Sequence, residues 1–218
     1  RPLGLRLRPR NLRAVAARSA IHGAAMLVYF GALAFLPVAQ VAAGLFTAPI
    51  FVLLIGRLAF GQAVGPVKAG AVVLGFLGVV MVLGPQALSG ATLAAVLPVL
   101  AGAMYALGNI ATRQWCAAER PEVMAAGFFV ALGILGCAGL AVLALVPLVP
   151  AAGADGFVLR GWVWPSAAFW GWTFVQAAGS LVAVALAIAA YQMADTARVA
   201  VFEYAVLPAS AFFSFLRR

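Results

Sequence analysis

The sequence is short of nearly everything that chemistry in water is built from. Of its 218 residues only 9 % are charged, five are acidic, one is a histidine (His22) and two are cysteines. Cys116 and Cys137 stand far apart with no Cys-x-x-Cys between them, so they give neither a disulfide framework nor a metal-ligand set. Five carboxylates scattered along the chain leave no pair for general acid–base work, and no His-Glu-x-x-His, Gly-x-Ser-x-Gly or phosphate-binding loop is present. We therefore expect no catalytic residue, no metal and no cofactor. Lack of charge also excludes disordered tails and soluble globular domains, whose charged fraction is far higher.

What is present is apolar: 66 % of the residues, with a mean hydropathy of +1.12. Four stretches contain no Asp, Glu, Lys, Arg or His at all, namely Gly23–Gly56, Ala69–Thr112, Val123–Ala154 and Gly161–Ala194. Each exceeds the roughly 20 apolar residues that one membrane-spanning helix needs. Turn residues and charges divide the chain into seven expected helices: Arg18–Leu36, Ala39–Leu58, Pro66–Leu83, Leu88–Arg113, Pro121–Leu148, Pro165–Met193 and Arg198–Leu216. The fold class expected is thus an all-α polytopic membrane protein. Small residues at Gly102/Ala106, at Gly133/Gly136/Gly139 and along Ala183–Ala189 are expected to be packing seams.

A net charge of +9 invites a nucleic-acid reading, but six of the fourteen basic residues lie in the first 18 positions, directly before an apolar run. Such a cluster is a topogenic signal and a contact for lipid headgroups, so residues 1–17 read as a basic cytoplasmic segment and no nucleic-acid partner is expected. Arg57, Lys68, Arg113, Arg120 and Arg198 fall on that same side, which puts the N-terminal end in the cytoplasm of a multi-pass plasma (inner) membrane protein. Trp162 and Trp164 read as interfacial anchors on the opposite side.

Sliding the sequence along itself by 158 positions superposes the first two expected helices on the last two. The shift pairs Ala25 with Ala183, Ala32 with Ala190 and Phe46 with Tyr204. The two copies have opposite topology, an arrangement typical of secondary transporters. The segments Ala32-Leu33, Leu36-Pro37-Val38-Ala39, Phe46-Thr47-Ala48-Pro49 and Gly75-x-x-Gly78-Val79 carry a family likeness, as do Asp195-Thr196-Ala197 and Val201-Phe202-Glu203-Tyr204. At these residues the chain resembles the EamA-type members of the drug/metabolite transporter superfamily. The resemblance implies ten helices in two inverted five-helix halves, of which this chain holds the third to the ninth. Residues 18–87 would be the remainder of the first EamA repeat, with three helices, and 88–218 a truncated second repeat with four. Gln62 stands where the family pattern carries a glutamate, so no role is assigned to a carboxylate there.

The function implied is alternating-access movement of a small metabolite or drug-like molecule across the plasma membrane, as an exporter. Proton coupling, membrane lipid and a second copy of the chain are the expected partners. Polar residues inside spans are the candidates for substrate contact, because an ionisable group at a helix centre costs about 2.5–3.5 kcal/mol and tends to face a cavity. They are Glu203 and its neighbour Tyr204, Tyr105 and Asn109 four apart on one face, Gln192, and Trp172. Glu203 has a plainer reading as an ion-pair partner of Arg198, and His22 as a packed or snorkelling residue near a helix end. Two rival classes remain: a membrane-embedded enzyme, which would need a cluster of His, Asp, Glu or paired Arg at one interface, and a non-transporting product of a truncated gene.

Overall fold

Capping chemistry sets where the first helix begins. The Asn11 side chain accepts a hydrogen bond from the Ala14 amide (3.1 Å), and Glu119 accepts from the amides of Arg10 (3.0 Å) and Asn11 (2.5 Å). With donors of the first turn satisfied in this way, α1 runs over Leu12–Ala32 instead of starting at Arg18. The earlier start draws Arg18 and His22 into the body of the helix.

The computed structural model describes residues 8–83, 93–146, 149 and 154–206. After α1 come α2 (Val38–Leu45), α3 (Ala48–Phe60), α4 (Pro66–Leu83), α5 (Val96–Trp115), α6 (Pro121–Leu145), α7 (Ala167–Met193) and α8 (Thr196–Phe202). Single 3-10 segments lie at Leu93–Ala95, Ala154–Leu159 and Glu203–Ala205. No strand occurs among the described residues, as the all-α expectation requires. The first turns of the expected Leu88–Arg113 span, the last part of Arg198–Leu216 and Pro208 lie outside the described residues.

The expected span Ala39–Leu58 is two helices. Proline 49 has no amide hydrogen to give Leu45, and its ring would crowd that carbonyl, so α2 stops at Leu45 and α3 restarts at Ala48. The break leaves carbonyls to satisfy: Thr47 Oγ1 donates to Gly44 O (2.5 Å), and Tyr204 Oη, from the far end of the chain, donates to Phe46 O (3.1 Å). Pro98 breaks nothing, because it sits in the first turn of α5, where no partner for its missing amide exists.

Among the described residues, four stretches are long and apolar enough to cross a membrane: Leu12–Ala32, Val38–Phe60, Pro121–Leu145 and Ala167–Met193. The two longest helices face outward: α6 and α7 bury few residues and expose side chains such as Ile134, Val142, Phe174 and Leu186. The interior, by contrast, holds Arg18, Ser19, His22, Asn109 and Thr112. An apolar outer surface around an interior that includes these polar groups among mostly apolar side chains suits hydrocarbon as the surrounding solvent. Helix α5 is the polar centre, packed against α1, α2, α3, α7 and α8. Its crossing with α2 is close because Gly102 faces the backbone of Gly44 and Leu45, and Gly44 in turn faces Pro98. Gly133, Gly136 and Gly139 have open space around them, so that stripe is not a seam within this chain.

One end of the bundle gathers the polar connectors. Glu119 binds the start of α1, Lys68 pairs with Asp195 (2.7 Å), and the Arg113 guanidinium donates to Ala194 O. These contacts bring the N-terminal segment and the α3–α4, α5–α6 and α7–α8 connectors, with most of the basic residues, to the same end.

Candidate functional site

Three elements converge on one carboxylate. Glu203 follows the last residue of α8, where the helix tightens into a 3-10 turn. Its Oε1 accepts hydrogen bonds from Tyr191 Oη (2.7 Å), at the end of α7, and from Tyr105 Oη (3.2 Å), midway along α5. Among the described residues Glu203 forms no ion pair, and Arg198 is exposed, so the plainer pairing expected between the two is not made. Two neutral donors hold the carboxylate in place while leaving its second oxygen outside both bonds.

One helical turn beyond Tyr105, the same face of α5 carries Asn109. Its Oδ1 lies 3.0 Å from His22 Nε2, and His22 Nδ1 lies 3.3 Å from Arg18 O. The His22 ring stands edge-on to Tyr105, with centroids 5.3 Å apart, and to Phe128 at 6.2 Å. It rests directly over Gly108, where any side chain would collide with it. Arg18, one turn before His22, donates through Nε to Thr112 Oγ1 (2.9 Å) and through Nη1 to Met124 O (3.4 Å). These residues enclose a cavity of about 60 Å³ that α7 closes with Ile188 and Tyr191. Larger hollows of about 380 Å³ between α3 and α4 and about 490 Å³ between α1 and α6 lie on the outer surface and are almost wholly apolar.

The sequence-level candidates divide accordingly. Glu203 and Tyr105 meet, and Asn109 lies beside them in the same polar seam. Tyr204 points the other way, packing on Phe46 (centroids 6.2 Å apart) and bonding its carbonyl. Gln192 is a strap for the α5–α6 connector, its Nε2 donating to Cys116 O (2.8 Å) and Glu119 O (2.7 Å). Trp172 is exposed on the outer face of α7. Arg18 and His22 are the residues that sequence reasoning set aside: one as part of a basic leader, the other as a helix-end residue. The available signal was Asn11, whose capping role places both inside α1, at the i, i+4 spacing that shares a face.

The 158-residue spacing seen in the sequence has a structural counterpart. Phe46 and Tyr204, paired by that shift, touch each other, and the same shift carries the start of α2 at Val38 onto the start of α8 at Thr196. Both short helices end at irregular turns, so two breaks meet face to face in the bundle.

Residues 2–84 match the EamA-like transporter family. A riboflavin transporter of Rhizobium johnstonii is 35 % identical over 100 residues, which cover 46 % of this chain and 33 % of that protein. A riboflavin transporter of Brucella anthropi is 28 % identical over 199 residues, covering 91 % of this chain and 66 % of that protein. The chain thus spans from a third to just under two thirds of the length of these relatives. No solved structure matches it.

Proposed function

We propose that this chain is an EamA-type protein of the drug/metabolite transporter superfamily that moves a small metabolite across the plasma membrane by alternating access, with riboflavin as the first cargo to test. In this reading residues 18–87 and 88–218 are the parts of two inverted repeats that the chain holds, its N-terminal end is cytoplasmic, and net flow is outward. The names of both relatives support a transporter and a flavin cargo.

The observation that carries the proposal is the Glu203 cluster. An ionisable side chain inside a membrane bundle is costly, and it is retained where it faces a cargo or ion path. Glu203 lies at a break in a short helix that meets the break of its repeat counterpart, the setting in which transporters of this architecture place their sites. With two phenols and a carboxylate, the cluster can accept a hydrogen bond from a polar cargo or pass a proton as the cargo moves, which is the basis for the expected proton coupling.

The test is flux of labelled riboflavin in proteoliposomes, with and without a pH gradient, for the wild-type chain and Glu203→Gln. The amide keeps an acceptor for Tyr191 and loses the charge. We expect saturable flux that Glu203→Gln reduces at least tenfold. Unchanged flux in the variant would remove Glu203 from the path. Absence of flux for riboflavin and for a wider metabolite panel, with the protein correctly inserted, would overturn the transporter reading.

A further inference from the structure

The cavity next to α5 has a property that the Glu203 cluster does not explain. Arg18 is only 3 % exposed, yet no carboxylate among the described residues pairs with it. Among the described residues, Arg18 donates through Nε to Thr112 and through Nη1 to Met124, and it lines the cavity. Asn109, also 3 % exposed, lines the same cavity; its Oδ1 meets His22, but its Nδ2 has no hydrogen-bond partner. A buried donor left unmet is expensive, so Asn109 Nδ2, at a cavity that a guanidinium without a carboxylate partner also lines, points to a ligand that supplies acceptors.

We propose that Arg18 and Asn109 form a donor subsite for the hydrogen-bond-accepting edge of a planar, carbonyl-bearing heteroaromatic cargo. This deepens the transporter reading above and rests on it. A guanidinium is flat and presents its donors as a fork, which suits two neighbouring ring acceptors better than a point charge would. The walls suit a flat ring as well, because Tyr105 and Phe128 stand around the cavity with His22 edge-on to both. About 60 Å³ takes the edge of such a ring and no more.

The experiment is a fluorescence-quenching titration of riboflavin on the purified chain in lipid nanodiscs. The competitors are lumichrome, a flavin-like ring without the sugar-alcohol chain, and ribitol, that chain without the ring. Riboflavin is expected to bind, lumichrome to displace it and ribitol to have no effect. Asn109→Asp keeps an acceptor for His22 and sets a carboxylate beside Arg18, so thermal stability holds or rises while riboflavin affinity falls about tenfold or more. Arg18→Lys keeps the charge but loses the fork, and is expected to weaken riboflavin similarly. Wild-type affinity in both variants, or displacement by ribitol and not by lumichrome, would overturn the subsite while riboflavin flux left the transporter reading standing. Glu203-dependent flux of a different metabolite, with no flavin bound, would overturn the subsite and the flavin cargo but keep the carrier. No binding and no flux of anything tested would overturn both.

Discussion

At the scale of single residues, the polar seam depends on one absent side chain, and the connector end of the bundle on one partly exposed ion pair. The His22 ring occupies the space where a Cβ of residue 108 would stand. Gly108→Ala therefore forces the ring away from Asn109 or pushes α1 off α5, an overpacking cost of about 1–3 kcal/mol that thermal unfolding in detergent would register. A melting temperature equal to that of the wild type would mean that the ring has somewhere else to go. Asp195 precedes α8 in its connector, where the Lys68 ammonium, donating a hydrogen bond, holds its carboxyl below its ordinary value of 3.8, aided by the Ala197 amide. A depressed folded-state value stabilises the protein above the ordinary value, and the contribution is lost as the pH falls through the depressed one. Both side chains are about a third exposed, so the effect is small and screened by salt. Asp195→Asn is expected to lower stability slightly at pH 7 and to flatten its decline between about pH 5 and pH 2. An unchanged acid limb in the variant would show that other carboxylates set it.

The element scale is governed by the broken helices. Pro49 ends α2, and the carbonyl left at Phe46 is taken by Tyr204, whose ring lies against Gly75 of α4 and against Phe46 itself. Proline and tyrosine should therefore be coupled although they lie on different elements. Tyr204→Phe alone is expected to cost about 1 kcal/mol, the usual worth of a buried hydrogen bond. In a Pro49→Ala background, where residue 49 regains an amide for Leu45 and the helix can close, the same change should cost close to nothing. A double-mutant cycle read by unfolding in detergent measures the difference. Equal costs in the two backgrounds would mean that the break does not depend on the proline. The long helices need no comparable device: α6 and α7 run for 25 and 27 residues because nothing within them interrupts the amide ladder.

For the whole molecule, the gathering of connectors at one end makes sidedness testable. Ala118 lies exposed in the α5–α6 connector and Trp164 lies exposed before α7, on the other side of the expected membrane. Ala118→Cys and Trp164→Cys, each made with Cys137→Ala, should react with an impermeant maleimide from opposite faces of sealed vesicles, Ala118→Cys from the cytoplasmic one. The buried Cys116 is expected to stay unreacted. Labelling of both sites from one face would contradict the arrangement of the bundle. The sequence by itself determined that the chain is helical and lives in a membrane, since lipid compatibility depends on composition along a run of about 20 residues and is legible in one dimension. It also set most helix limits within a few residues and identified Glu203, Tyr105 and Asn109 as polar groups in apolar surroundings. What it left undecided was which of those groups meet. Arg18 reaches Thr112 across 94 positions, His22 reaches Asn109 across 87, and Tyr105 reaches Glu203 across 98. Gln192 and Trp172 looked equivalent to these on the line, yet one faces a connector and the other the outer surface. Only tertiary packing could decide this, because a helix offers its polar residues every direction around its axis, and the choice among them is made by the neighbours that close over it.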